Sequence, residues 1–113
     1  MANEKNLLSG NTTMLILKLL ESKDMYGYQI IEELEKKSNN TFCLKTGTLY
    51  PILHNLENDL MLSSYDENTT NARVRKYYRI TDKGRGLLSQ KQSEWIIYKK
   101  AVNQIIEGGE AYV

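Results

Sequence analysis

Residues 46–57 read Thr46-Gly47-Thr48-Leu49-Tyr50-Pro51-Ile52-Leu53-His54-Asn55-Leu56-Glu57. Leu49, Ile52, Leu53 and Leu56 recur at helical spacing, which predicts a short amphipathic helix with one buried stripe. Tyr50, His54 and Asn55 fall off that stripe, toward solvent or a partner. Thr46 and Thr48 are both suitable N-caps. Pro51 has no N–H to give, so it belongs in the first turn or just past it, and a start near Thr48 puts it there. The exposed start then carries hydroxyls, a phenol and free backbone N–H groups. Such groups hold a phosphate at a helix N-terminus. Taken alone, the stretch is equally well an ordinary capped surface helix, and its neighbours decide between the two.

Upstream, Asn11 or Thr12 caps a first helix through residues 14–20, apolar nearly all round except at Lys18 and so buried on most sides. Ser22-Lys23-Asp24 breaks it. A second helix is expected from about Tyr26 to Lys37, with Ile30, Ile31 and Leu34 inward and Glu32, Glu33, Glu35 and Lys36 outward. Gly27, early in this helix, costs roughly 1 kcal/mol against Ala. A close backbone approach, to another helix or to a ligand, would justify it. Ser38-Asn39-Asn40-Thr41 is a polar turn cluster, and Phe42-Cys43-Leu44 is expected as a very short strand.

Downstream, the quoted helix ends near Asn58-Asp59. Residues 60–65 read as a strand and residues 66–71 as a loop tip. Residues 73–80 form a second strand, with Val74, Tyr78 and Ile80 on one face and Arg73, Arg75, Tyr77 and Arg79 on the other. Thr81 caps a long last helix, with Asp82 in its first turn. Leu88, Lys91, Trp95, Tyr98, Val102 and Ile105 alternate spacings of three and four, a heptad seam that predicts packing against another helix. Leu7 and Leu8 are expected against the same seam. Gly108-Gly109 ends the helix.

The bulk numbers narrow the functional classes. A chain of 113 residues predicts one domain whose modest core leans on a partner subunit. The net charge is only +1, so any signal for nucleic acid is local. The single Cys43 has no partner for an internal disulfide and fits a reduced, cytoplasmic compartment. Residues 1–9 are unlike a signal peptide, and no apolar run is long enough to span a membrane. There is no paired-carboxylate, Cys/His, Gly-rich phosphate or metal-ligand pattern, so neither an enzyme nor a cofactor is expected.

Helix, helix, short strand, helix, hairpin, long helix is the order of a winged helix-turn-helix, in which the third helix enters the DNA major groove and the hairpin lies over the neighbouring backbone. The fold class expected is therefore mainly α with a small β-hairpin. From Asn71 to Thr81 there are four cations (Arg73, Arg75, Lys76, Arg79) and no acid. A basic hairpin beside an uncharged, hydroxyl-rich helix start makes a phosphate-holding surface. The hairpin alone reads equally as an edge strand protected by charge.

The sequence resembles the PadR family of bacterial transcriptional regulators. The matching elements are Tyr26-Gly27-Tyr28-Gln29-Ile30, Gly47-Thr48-Leu49-Tyr50-Pro51-Ile52-Leu53, Leu56-Glu57 and Arg75-Lys76-Tyr77-Tyr78-Arg79-Ile80-Thr81, with Gly84 shortly after. Their order and spacing match from about Leu7 to Ile106. The resemblance implies a dimeric winged-helix regulator, usually a repressor. Residues 1–81 would form the DNA-binding unit and residues 82–113 a single C-terminal dimerisation helix and tail, as in the family's small subgroup.

The DNA-contacting set expected is Tyr28, Lys45, Thr46, Thr48, Tyr50 and His54, with Arg73, Arg75 and Lys76 on the wing. Leu88, Trp95, Tyr98, Val102 and Ile105 would serve dimerisation. Some members of the subgroup place a tryptophan at the dimer interface, where the indole can stack on a flat aromatic effector; Trp95 reads first as a dimer-core residue and second as such a stacking surface. Two departures stand out. The family has Gly after the recognition helix where this chain has Asn58-Asp59, which tolerate the same left-handed backbone. The wing tip is acidic, which argues against deep insertion into the minor groove. It also leaves a second reading, a winged-helix protein-interaction module without DNA binding.

Overall fold

The computed structural model describes residues 10–71 and 73–108. In chain order it has α1 (Thr12–Ser22), β1 (Met25–Tyr26), α2 (Gly27–Lys37), α3 (Thr46–Asn58), β2 (Leu62–Asn68), β3 (Val74–Ile80) and α4 (Asp82–Glu107). This is a winged helix-turn-helix followed by one long helix. The expected packing of Leu7 and Leu8 lies outside the described residues, as does Gly109.

The apolar stripes meet in one core. Ile16, Leu17 and Leu20 of α1, Ile30 of α2, Leu49 and Leu53 of α3, Met25, Leu62 and Leu88 are fully buried together. Burying side chains of this size contributes about 1.5–3 kcal/mol each. Leu88 is one of them at 1% exposure, which corrects its assignment to a dimer seam. The first turns of α4 lie against α1, so Leu88 closes the core of its own chain. Gly84 lets the start of α4 lie against the α3–β2 turn and the end of β3: a Cβ there would stand 2.9 Å from Ile80 Cγ1 and closer still to the Met61 carbonyl oxygen. The Thr81 side chain accepts from the Gly84 N–H at 3.0 Å, the expected N-cap.

The sheet has three antiparallel strands in the order β1-β3-β2. No strand forms at Phe42-Cys43-Leu44. The short strand is instead Met25-Tyr26, paired with Tyr78 and Tyr77. Met25 is 1% exposed and fixes that register, whereas Phe42 and Leu44 reach the core from an irregular loop. The hairpin is longer than expected. Its pairing continues to Asn68↔Val74, so Asp66, Glu67 and Asn68 are strand, and the Thr69 N–H closes the tip on the Arg73 carbonyl at 2.8 Å. Val74 shares a face with Tyr78 and Ile80 but is exposed.

α3 begins at Thr46, two residues before the expected start, with Lys45 as N-cap and no side-chain cap bond. Neither Thr46 nor Thr48 caps it; the Lys45 carbonyl takes the N–H groups of Thr48 and Leu49. Pro51 consequently lies in the second turn, where it forgoes one backbone bond. At the other end the Met61 N–H bonds the Leu56 carbonyl at 2.8 Å and the Leu60 N–H bonds the Glu57 carbonyl at 3.0 Å, a Schellman closure. The left-handed residue is Leu60, at φ 66°, and not Asn58 or Asp59 as the sequence suggested. Asp59 has φ −86° and merely ends the helix.

Candidate nucleic-acid interface

The start of α2, the start of α3 and the tip-side half of β3 converge on one cleft of about 540 Å³. Tyr26, Gly27 and Tyr28 come from the β1–α2 junction, Tyr50 from α3, and Arg73, Arg75 and Lys76 from the hairpin. The convergence begins at Gly27, which is buried and lies against the Tyr50 ring. This is the close approach that its cost in a helix demanded, and the partner is another helix. Tyr28 is 62% exposed and Tyr50 41%, so both phenols reach the surface. Lys45, Gly47, Thr48 and His54 are exposed on the same helix, and Thr46 is half-buried. The sequence-expected residues of α3 therefore form one uncharged, hydroxyl-bearing surface with Lys45 at its edge.

The four wing cations are not equivalent. Arg73 is exposed and makes no ion pair or ring contact with a described residue. Arg75 lies over the Tyr26 ring at 4.3 Å. Lys76 pairs with Glu57 of α3 at 3.5 Å, and its ammonium stands 5.6 Å from the centre of the Tyr78 ring. Arg79 pairs with Asp24 at 3.2 Å and covers the Tyr65 ring. Exposed pairs of this kind contribute little stability, about 0–1 kcal/mol each, but they fix where the charges point.

The carboxylates that make these pairs were not read as part of the site. Glu57 accepts from the Ser64 hydroxyl as well as from Lys76. The Ser64 bond, with Lys76 assisting, holds its carboxyl below the usual range against a smaller opposing effect of burial. Asp24 accepts from the Tyr65 hydroxyl at 2.7 Å, and this bond is the main cause that raises the phenol's pKa. Burial raises that of Tyr78. Asp24 looked like a helix breaker and Glu57 like a helix end. Only the β2–β3 register brings Ser64 and Lys76 to one side of the hairpin.

A second concavity, of about 300 Å³, lies where the start of α1 meets α4. Asn11, Met14, Lys91, Glu94, Trp95 and Tyr98 line it. The Trp95 and Tyr98 ring centres are 6.0 Å apart. Beyond it α4 presents Ile96, Ile97, Tyr98, Ile105 and Ile106 largely to solvent, with Val102 half-buried. Among the described residues no helix is long and apolar enough to cross a membrane, and no cluster of acidic, His and Cys side chains could hold a metal ion.

The sequence profile described as the transcriptional regulator PadR-like family matches residues 16–90. A protein of Lysinibacillus sphaericus is 35% identical over 105 residues, spanning 93% of this chain and 96% of that relative. The structure is similar to that of a transcriptional regulator from Clostridium thermocellum, with a TM-score of 0.82 and 33% identity over 90% of this chain and 99% of the other. A PadR family transcriptional regulator from Eggerthella lenta superposes with a TM-score of 0.78 at 30% identity, covering 90% of this chain and 87% of that one.

Proposed function

The chain belongs to the transcriptional regulator PadR-like family, and from that premise we propose that it is a homodimeric repressor that binds operator DNA. Residues 1–81 serve DNA binding and residues 82–113 dimerisation. The observation that carries the reading is the cleft in which Tyr28, Tyr50 and the wing arginines meet beside the exposed start of α3. Hydroxyls, helix N–H groups and guanidinium groups on one surface match the chemistry of a phosphate backbone. Lys45, Thr46, Thr48 and Tyr50 hold the backbone at the edge of the major groove, and His54, one turn deeper, meets a base edge. Arg73 and Arg75 lie over the flanking phosphates, with Lys76 at their base.

The dimer forms along α4 from Trp95 onward. Tyr98 is 63% exposed and Ile105 81% in the single chain, an unfavourable place for large apolar groups unless a second copy covers them. A flat aromatic effector stacked on Trp95 would lie in the concavity beside it. Lys91 and Glu94 at its wall supply one charge of each sign, so the lining leaves the stacking on Trp95 as the main source of selection.

Anisotropy titration with a labelled duplex from the chain's own upstream promoter, against a scrambled duplex at several salt concentrations, tests DNA binding. Preferential, salt-sensitive binding is the expected result; equal or absent binding would remove the operator reading. Light scattering should give twice the chain mass, and a folded monomer at micromolar concentration would remove the dimer. Quenching of Trp95, the chain's single tryptophan, by planar aromatic compounds tests the effector.

A further inference from the structure

Glu57 stands where three elements touch. It lies on the last turn of α3, takes a hydrogen bond from Ser64 of β2, and pairs with Lys76 of β3 at 3.5 Å. A different partner was available to Lys76. Asp66 is its registered neighbour across the hairpin and is exposed, yet the ammonium turns to the recognition helix. Lys76 also lines the cleft assigned above to DNA, so Glu57 competes with a phosphate for the same charge. The groups facing Glu57 are Ser64 and Lys76 from the hairpin, Tyr78 beneath them and His54 one turn back on its own helix.

We infer that Glu57 is a positioning residue for DNA recognition: by holding Ser64 and Lys76 it fixes the wing at one angle to the recognition helix and keeps Lys76 from the phosphates. The inference rests on the DNA-binding reading above. Its consequence is that operator preference comes partly from a rigid wing, while the wing's phosphate contacts come from Arg73 and Arg75. Glu57→Gln is the informative change, because its amide still accepts from Ser64 but no longer holds the ammonium by charge. Lys76 is then free to reach a phosphate.

Binding of operator and scrambled duplexes across salt, for the full chain, gives the test. With Glu57→Gln the salt slope on scrambled DNA should steepen by about 0.9, the contribution of one added phosphate contact. The operator-over-scrambled ratio should fall several-fold. In a Lys76→Met background the same change should leave the slope alone. A merely structural role would weaken both duplexes without steepening the slope. Lys76→Met by itself, which does not depend on how Glu57 variants fold, should lower the slope by much less than about 0.9. An unchanged slope and ratio in Glu57→Gln, or a slope lowered by the full amount of about 0.9 in Lys76→Met, overturns the inference while leaving operator binding intact. Absence of duplex binding by the unaltered chain strikes the DNA-binding reading itself, and the inference with it.

Discussion

The phenol of Tyr50 rests on the backbone of Gly27, so close that a Cβ at that glycine would stand 2.6 Å from the ring's Cζ. The two residues join α2 to α3 and set where Tyr50 meets the cleft. In Gly27→Ala two effects oppose each other. Gly27 is the first residue of α2, so Ala gains at most about 1 kcal/mol of helix propensity over Gly, while overpacking typically costs about 1–3 kcal/mol. The ring is 41% exposed, so it relieves the overlap by swinging outward rather than by forcing the helices apart. Gly27→Ala should therefore change stability by less than about 1 kcal/mol yet weaken operator binding. Urea melts and anisotropy on the same preparation check this; intact affinity would show that Tyr50's placement is irrelevant to DNA.

Leu60 closes α3 in the left-handed conformation, at φ 66°, with its side chain 66% exposed. A side chain with a Cβ costs roughly 1–2 kcal/mol there, and little buried surface is lost on removing it. Glycine gives back part of the gain through the entropy of the unfolded chain, about 0.4–1 kcal/mol. Leu60→Gly should be stabilising by up to about 1 kcal/mol. The urea midpoint should rise with its slope unchanged; a fall would mean that Leu60 packs against something a single chain does not contain.

The four helices of the described residues, the winged order and the N-cap at Thr81 were legible because each rests on local periodicity or a local cap. What escaped reading was non-local. Met25-Tyr26 looked like the entry to a helix, and only pairing with Tyr77 and Tyr78, some fifty residues later, makes it a strand. The strand length of the hairpin was underestimated because Asp66 and Asn68 have turn-forming side chains and Glu67 is a poor strand former, while the register set by Leu62 opposite Ile80 carries pairing through them. Leu88 fitted a heptad seam and also fitted the core, and spacing alone does not distinguish the two. At the site, the α3 residues were legible from one amphipathic pattern. The unequal freedom of the wing cations was not, since it depends on Asp24, Tyr26 and Glu57 arriving from elsewhere.

The Ser64–Glu57 bond carries a pH signature. The Glu57 carboxyl is held below its ordinary value of 4.5, first by the Ser64 hydroxyl and then by Lys76. A lowered folded-state pKa means stability that is fully present above the unfolded value and is lost as pH falls through the folded one. Ser64→Ala should thus cost about 1 kcal/mol at pH 7, the scale of one partly exposed hydrogen bond. The gap to the unaltered chain should narrow as pH falls below 4.5. Paired denaturation curves from pH 7 downward test this, and a gap independent of pH would assign the loss to packing instead.

The wing arginines divide into free and committed charges, and salt dependence distinguishes them. Arg73 lies at the edge of the cleft without an ion pair to a described residue. Arg75 is held over Tyr26 but keeps its charge toward the cleft. Arg79 is bound to Asp24 and covers Tyr65, and it does not line the cleft. Each phosphate neutralised by a cation contributes about −0.9 to the slope of log affinity against log salt. Arg73→Ala should remove close to one such contact, on operator and scrambled DNA alike. Arg75→Ala should remove about as much and should also loosen Tyr26. Arg79→Ala should leave the slope nearly unchanged, although it removes the same formal charge; a merely diffuse electrostatic attraction would treat the three alike. His54→Ala should behave differently from all of them. If its imidazole meets a base edge, the loss is about 1–3 kcal/mol on the operator and small on scrambled DNA, with the slope preserved. Titrations at four or more salt concentrations separate these outcomes. Equal slopes for Arg73→Ala and Arg79→Ala would show that the ion pair with Asp24 does not survive on DNA.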